Sequence, residues 1–548
     1  MKKLKKIFLL SMVLLLFLTG CKAEDTTKVK AGGEYPDAVN IELGDNGILV
    51  DGEAVAQNAD AAVYVAKDIV FYLAGQGFTY GEGTEADEHT KEEADRHTVV
   101  HITKPGTYAV TGKLSAGQIA IDLGEGAKEN PEAVVTLILN GVDITCEVAP
   151  AVIFYNVYEC NMADAENATY QVNTIDAGAN VVIADNSVNQ VNGSYVARIY
   201  ESYTLNEDGT AVADSKKLHK YDGAFYSKRS MNVNGETEGN GILNIQAVNE
   251  GLDSEMHLTI NGGKINIISG NDGINTNEDG VSVTTVNGGE LTILVDGSTG
   301  EGDGIDSNGW LVINGGVVNA SACSRSGDAG IDSDMGIYLN GGKVIAAGNM
   351  LDRIAGGEQS YTVFTFAQNQ NGGTTYAMKG TDGKVVAEWA PANDFQYLLV
   401  AEDKLVAGTY TLWKEDAQLV ASADVQGFGG MGFGGGRFPG GMELPEGMER
   451  PGGMELPGGM ELPEGMERPE GMELPEGMER PEGMERPEDM QCPEGAGKQE
   501  GFGGRGNKGQ NGRDDAMWGN QNSGELSEEF VLAEGANYFS KVQEKSTN

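Results

Sequence analysis

The sequence predicts an all-β protein whose body is a right-handed parallel β-helix, a solenoid, followed by a small antiparallel β segment and a low-complexity Gly/Met/Pro/Glu tract. Three observations predict it. A six-residue motif recurs at 222–227, 249–254, 271–276, 302–307 and 328–333, its clearest forms being Gly304-Ile305-Asp306-Ser307 and Gly330-Ile331-Asp332-Ser333. An Asn-Gly turn follows each copy, seven residues after the Ser at Asn234, Asn261, Asn314 and Asn340 and eleven after the Thr at Asn287. Apolar residues alternate on either side of the turn, as in Leu258-Thr259-Ile260 and Ile265-Asn266-Ile267, the pattern of half-buried strands. A period of roughly 26 residues without helical spacing means a solenoid, because one coil cannot bury its own apolar face and must stack on the next. Three short strands per coil are expected, with Asn-Gly supplying the positive backbone angles of the turns.

From the start of the chain, Lys2, Lys3, Lys5 and Lys6 precede an apolar run from Ile7 to Leu18 that closes in Leu18-Thr19-Gly20-Cys21. A basic start, a short apolar stretch and a small-residue cleavage site make residues 1–20 an export signal. The tetrapeptide resembles the bacterial lipobox, which implies that Cys21 is lipidated and holds the protein on the extracellular face of the cell membrane. Residues 21–45 are expected to be a tether and 46–350 the β-helix. Within it, Val134–Leu139, Ala151–Ile153 and Val181–Ile183 read as strands of early coils with longer excursions between them. Residues 351–424 read as the small β segment, where Trp389 and Trp413 are expected to pack in a core. In 425–524, Met recurs every six residues from Met442 to Met490, and proline in nearly every unit forbids a continuous ladder. That tract is expected to be extended or disordered and solvated. Residues 525–548 turn apolar again and are expected to return to the body as a strand.

Stacking decides the chemistry. Equivalent positions on successive coils lie about 4.8 Å apart, so Asp253, Asn275, Asp306 and Asp332 form one column, with Glu250, Asp272 and Asp303 beside it and Asp334 further along. Two bare carboxylates at that spacing repel by roughly 3 to 4 kcal/mol at an effective dielectric of 20. A cation is therefore expected among Glu250, Asp253, Asp272, Asn275, Asp303, Asp306, Asp328, Asp332 and Asp334. The all-oxygen donor set, which includes the hydroxyls of Ser254 and Ser307, suits calcium better than magnesium because such loops impose no octahedron. The alternative is a solvated acidic edge that blunts aggregation. The turn asparagines are expected to be a structural ladder, not ligands.

Composition excludes several classes. A net charge of −45 is incompatible with holding nucleic acid through its phosphates, and it repels an acidic polysaccharide unless divalent cations bridge the two. Cys146, Cys160, Cys323 and Cys492 show no Cys-x-x-Cys spacing, so neither a zinc knuckle nor a redox pair is expected. His97 and His101 are four apart in a strand pattern and are not placed to share a metal.

The segments Thr103-Lys104-Pro105-Gly106-Thr107-Tyr108, Leu139-Asn140-Gly141-Val142 and Asp222-Gly223-Ala224-Phe225-Tyr226-Ser227-Lys228, with the Gly-Ile-Asp-Ser and Asn-Gly-Gly repeats, resemble a family of secreted carbohydrate-binding β-helix proteins related in fold to polysaccharide lyases. The likeness covers roughly residues 95 to 350. It implies a calcium-loaded β-helix that binds plant cell-wall polysaccharide, cellulose or acidic pectin-like glycans, without established catalysis, the acidic columns being the calcium ligands. The sequence departs from the pattern at Tyr226 and Ala329, which weakens ligation in the outer coils. Two other functions stay open. A calcium-dependent polyuronate lyase needs a basic residue beside the columns, for which Lys228, Arg229, Arg325 and Arg353 are the nearest. A non-enzymatic adhesin or wall-structural protein needs no sugar affinity.

Overall fold

The computed structural model describes residues 28–162, 164–423 and 525–546. The predicted export signal, Cys21 and the hexapeptide tract lie outside them. Among the described residues the chain is nearly all β, with one turn of α-helix at Lys91–Ala94 and a 3-10 turn at Glu125–Glu129.

The repeat is three strands long. In one copy these are Glu250–Ser254, Leu258–Ile260 and Lys264–Ser269; in the next, Ile274–Thr276, Val283–Val286 and Glu290–Val295; then Ile305–Ser307, Trp310–Ile313 and Val317–Ser321. Each strand pairs in parallel with its counterpart one repeat on. Three parallel ladders result. One is an eight-stranded sheet running from Val63–Ala66 to Ile305–Ser307, in which only the first pair is antiparallel. The apolar positions of all three ladders, Leu252, Ile274 and Ile305 in the first and Ile265, Ile267, Leu291 and Ile293 in the third, join a single core.

After Asn261, Asn287, Asn314 and Asn340 the sharp turn is made by the second glycine. Gly263, Gly289, Gly316 and Gly342 all have φ between 79° and 90°, whereas the asparagines do not enter the left-handed region. A Cβ on Gly289 would stand 2.6 Å from the carbonyl oxygen of Gly263. The asparagines themselves form the expected ladder. Each amide donates to the side-chain oxygen of the copy before: Asn261 to Asn234 at 2.9 Å, then Asn287 to Asn261, Asn314 to Asn287 and Asn340 to Asn314, each at 2.8 Å. Asn287→Ala removes two of these exposed bonds and is expected to destabilise the protein by about 1–2 kcal/mol. An unchanged denaturation midpoint would show that the ladder contributes nothing.

Residues 39–43, expected to belong to the tether, form the strand Val39–Leu43, which pairs in parallel with Gly106–Leu114 and buries Ile41 and Leu43. A long antiparallel hairpin, Val196–Leu205 with Val212–Tyr221, interrupts the early repeats. It lies against the eight-stranded sheet, with the Tyr221 and Tyr226 rings 5.0 Å apart. At the far end Lys343–Gly348 pairs antiparallel with Phe395–Ala401. A second core of Phe364, Phe366, Trp389, Phe395, Phe530 and Phe539 follows. Trp389 is buried there, and Trp413 lies beneath the Lys379 ammonium, 3.9 Å from the ring centroid. The strand Ala536–Glu544 enters this region between Tyr361–Gln370 and Ala417–Ala423.

Candidate metal centre

Strand register aligns the acidic residues as stacking requires. Tyr226 pairs with Asp253, Asp253 with Asn275 and Asn275 with Asp306. The Asp332 amide donates to the Ile305 carbonyl at 2.7 Å, which continues the column by one repeat. The neighbouring column runs Gly223, Glu250, Asp272, Asp303 and Ala329, held by Gly223↔Glu250 pairing and by the Gly251, Gly273 and Gly304 amides on the carbonyls of Asp272, Asp303 and Ala329.

Two clusters emerge in which one oxygen from each of three carboxylates lies within 4.8 Å of the others: Asp222, Glu250 and Asp253, and Asp303, Asp306 and Asp332. Asp253 is wholly buried, and Glu250, Asp303, Asp306 and Asp332 are nearly so. This is not a solvated edge. Oε2 of Glu250, Oδ2 of Asp253 and Oδ1 of Asn275 are buried and accept no hydrogen bond, a costly arrangement for carboxylate and amide oxygens unless a cation meets them. These all-oxygen groups, on strands and on the turns beside them, could hold a metal ion.

Electrostatics agrees. Burial, then Asp253 and Asp222, push Glu250 well above the usual carboxylate range, and burial, then Asp222 and Glu255, do the same to Asp253. Asp272 is raised by burial and by Asp306 and Glu250, and Asp303 by burial and by Asp272 and Asp332. The first cluster also holds a built-in cation. Lys220 Nζ stands 2.7 Å from Asp222 Oδ2. Burial pulls its ammonium down, but Asp222, Glu250 and Asp253 outweigh that and hold it above its ordinary value.

Several expected ligands are also engaged elsewhere, and some lie outside the clusters. Asp272 and Asp303 each use one oxygen to accept the backbone amide of the following repeat, Asp303 N–H and Ala329 N–H, both at 2.6 Å. Asn275 donates to Glu250 Oε1 at 3.1 Å. Asp328 accepts from Gly302 N–H at 2.7 Å and from the Ser326 hydroxyl, closing its own loop outside both clusters. Asp334 is exposed and outside them too. The hydroxyls of Ser254 and Ser307 are not directed at the carboxylates. They sit on the opposite side of the strand and donate to the carbonyls of His257 and Trp310.

Sequence reasoning missed Asp222, Lys220 and Asp352. Asp222 stands in the first motif copy, the one discounted because Tyr226 replaces its Asp. Asp352 lies past the fifth copy and accepts from Ser333 N–H at 3.2 Å. Burial and Asp332 push it up to about 7. Of the basic residues, Lys228 lies over the Tyr155 ring, Arg325 donates to the Gly297 carbonyl and Arg353 to that of Met335. His97 bridges the Glu93 carbonyl and the Glu147 amide, while His101 meets Asp68, so the two share no site.

Both clusters, with Lys220 and Asp352, fall inside residues 96–388, the span that matches the family model of carbohydrate-binding domain-containing proteins. The chain belongs to that family. Its carbohydrate-binding domain therefore contains the three-stranded repeats and the buried carboxylates together. A search among curated proteins finds no match. Among solved structures the chain is similar to a polysaccharide lyase-like protein from C. thermocellum, in its gadolinium derivative, at 18% identity and a TM-score of 0.28 over 58% of this chain and 99% of that one.

Proposed function

We propose that the protein is a lipid-anchored cell-surface protein that binds plant cell-wall polysaccharide through a right-handed parallel β-helix stabilised by calcium. Membership of the carbohydrate-binding family supports the ligand class. Three parallel ladders of short strands, each repeat paired to the next, support the β-helix. The observation that carries calcium is the pair of buried carboxylate clusters, the first with oxygens of Glu250 and Asp253 that accept no hydrogen bond. Asp303, Asp306 and Asp332 hold one ion, and Asp222, Glu250 and Asp253 form the weaker site because Lys220 already neutralises part of their charge. Bound calcium supplies the charge that lets these carboxylates remain ionised in the core. The lipid anchor rests on Cys21 and the lipobox resemblance alone.

The test uses protein lacking residues 1–21, drawn down on cellulose and on calcium-pectate with and without chelator, alongside its melting curve. Polysaccharide is expected to retain the protein, and chelator to lower both retention and melting temperature. Protein that binds neither polymer with calcium present would leave the adhesin reading in its place.

A further inference from the structure

The outward row of the eight-stranded sheet does not end with the carboxylates. In hydrogen-bonded register it runs Asp306, Asn275, Asp253, Tyr226, Ile153, Ala120, His101 and Tyr64. The row changes from acidic to apolar and aromatic at Tyr226. Tyr226 and Ile153 are buried, but Ala120, His101 and Tyr64 are only half-buried. Tyr64 and His101 stack face to face, 4.4 Å apart and 8° from parallel. Two residues beyond Ile153 on the same strand, Tyr155 stands half-buried with its ring 6.5 Å from that of His219 on the hairpin. His219 and Leu218 then join Phe71, Leu73 and Tyr80 around a pocket of about 290 Å³. Leu218 is 47% exposed at its edge.

Planar polar side chains stand outside the pocket, near Tyr64 and Tyr221, on which the Asp122 charge acts. Asn156 donates to Asp122 Oδ1 at 2.9 Å, and both remain half-buried. Aromatic faces flanked by amide and carboxylate groups suit a pyranose, which offers an apolar C–H face to a ring and hydroxyls to the planar groups.

We infer that this pocket and the adjoining Tyr64–His101 row are the sugar-binding face of the domain, and that its ligand is a neutral pyranose polymer. The choice of a neutral sugar follows from charge. Asp68, Asp122 and Glu255 surround the face, Glu255 already pairs with Lys217, and the nearby Lys228 ammonium is seated on the Tyr155 ring. A uronate chain entering here would meet carboxylates. The inference rests on the polysaccharide-binding reading given above and locates the site for it.

Titration calorimetry with cellohexaose and with trigalacturonate, on the calcium-loaded protein lacking residues 1–21, tests it. Leu218→Asp and Tyr64→Ala are each expected to weaken cellohexaose binding about tenfold. Because either variant can disturb packing, cellohexaose is also expected to protect His101 and His219 of the unmutated protein from diethyl pyrocarbonate, read by mass spectrometry. Cellohexaose binding without that protection, or with variants that bind as the parent does, overturns the site while the broader function stands. Binding of trigalacturonate alone overturns the neutral ligand. If the parent binds no carbohydrate in any assay, the function reading fails and this inference fails with it.

Discussion

Asp303→Asn is expected to act with opposite sign in the presence and absence of calcium. With calcium, affinity at the Asp303, Asp306 and Asp332 cluster should fall by more than about 100-fold, since even outer-shell partners of a metal are worth roughly 10–100-fold. In chelator at alkaline pH the same variant should melt higher than the parent. The physical reason is the repulsion that the cation relieves. Like charges within 4.8 Å repel by roughly 3 kcal/mol at an effective dielectric of 20, and Asn carries no charge. It keeps an oxygen for the Ala329 amide, so that hydrogen bond at 2.6 Å survives. Calorimetric calcium titration and melting curves in calcium and in chelator read both signs. A variant that lost stability equally in the two buffers would be a packing defect and would refute the cation site.

The pH dependence of the chelated protein is the second large effect. Glu250, Asp253, Asp272 and Asp303 hold their protons to well above the usual carboxylate range, and Asp352 to about 7. In the unfolded chain they ionise near pH 4. Between those values the folded state binds more protons than the unfolded one, so stability falls as pH rises. Each such proton tilts it by about 1.4 kcal/mol per pH unit. The contribution is fully present below about pH 4 and is lost as pH climbs through the folded values, past 7 for Asp352. Calcium must displace these protons to bind, so the loaded protein should show the opposite trend at the acidic end. Chelator is thus expected to cost little near pH 5 and much near pH 8. Melting curves across that range decide it, and a chelated protein whose melting temperature rose with pH would sink the idea.

Much of the fold could be read in advance because the repeat is spelled in side chains. From the second on, each motif copy places its Asp or Asn two residues after the Gly, so copies that pair in register stack those side chains in one column. The register of Asp253, Asn275 and Asp306 follows from that alone. Three features escaped for physical reasons. Asp222 joins the first cluster from the column ahead of the motif Asp, a contact that only three-dimensional stagger creates. Asp328 has the expected type and position, but its carboxylate closes a loop through Gly302 and Ser326 instead. The hairpin Val196–Leu205 with Val212–Tyr221 alternates like any strand pair, and alternation says nothing about whether strands stack in the body or cross its face. Since that hairpin carries Lys220 and His219, both the internal cation and the aromatic face were hidden with it.

The strands on either side of the hexapeptide tract are tied to each other. Ala417–Ala423, just before it, and Ala536–Glu544, after it, are antiparallel neighbours, and Phe530–Leu532 pairs with Gly408–Lys414. The chain thus leaves the described fold and re-enters it on neighbouring strands. The entropy lost in joining two fixed points by a chain grows only as the logarithm of the chain's length, about 0.6 kcal/mol for each doubling. One more or one fewer hexapeptide changes folding by far less than that. The number of repeats is thus free to drift between generations, a reach that selection can lengthen or shorten without renegotiating the fold that holds it.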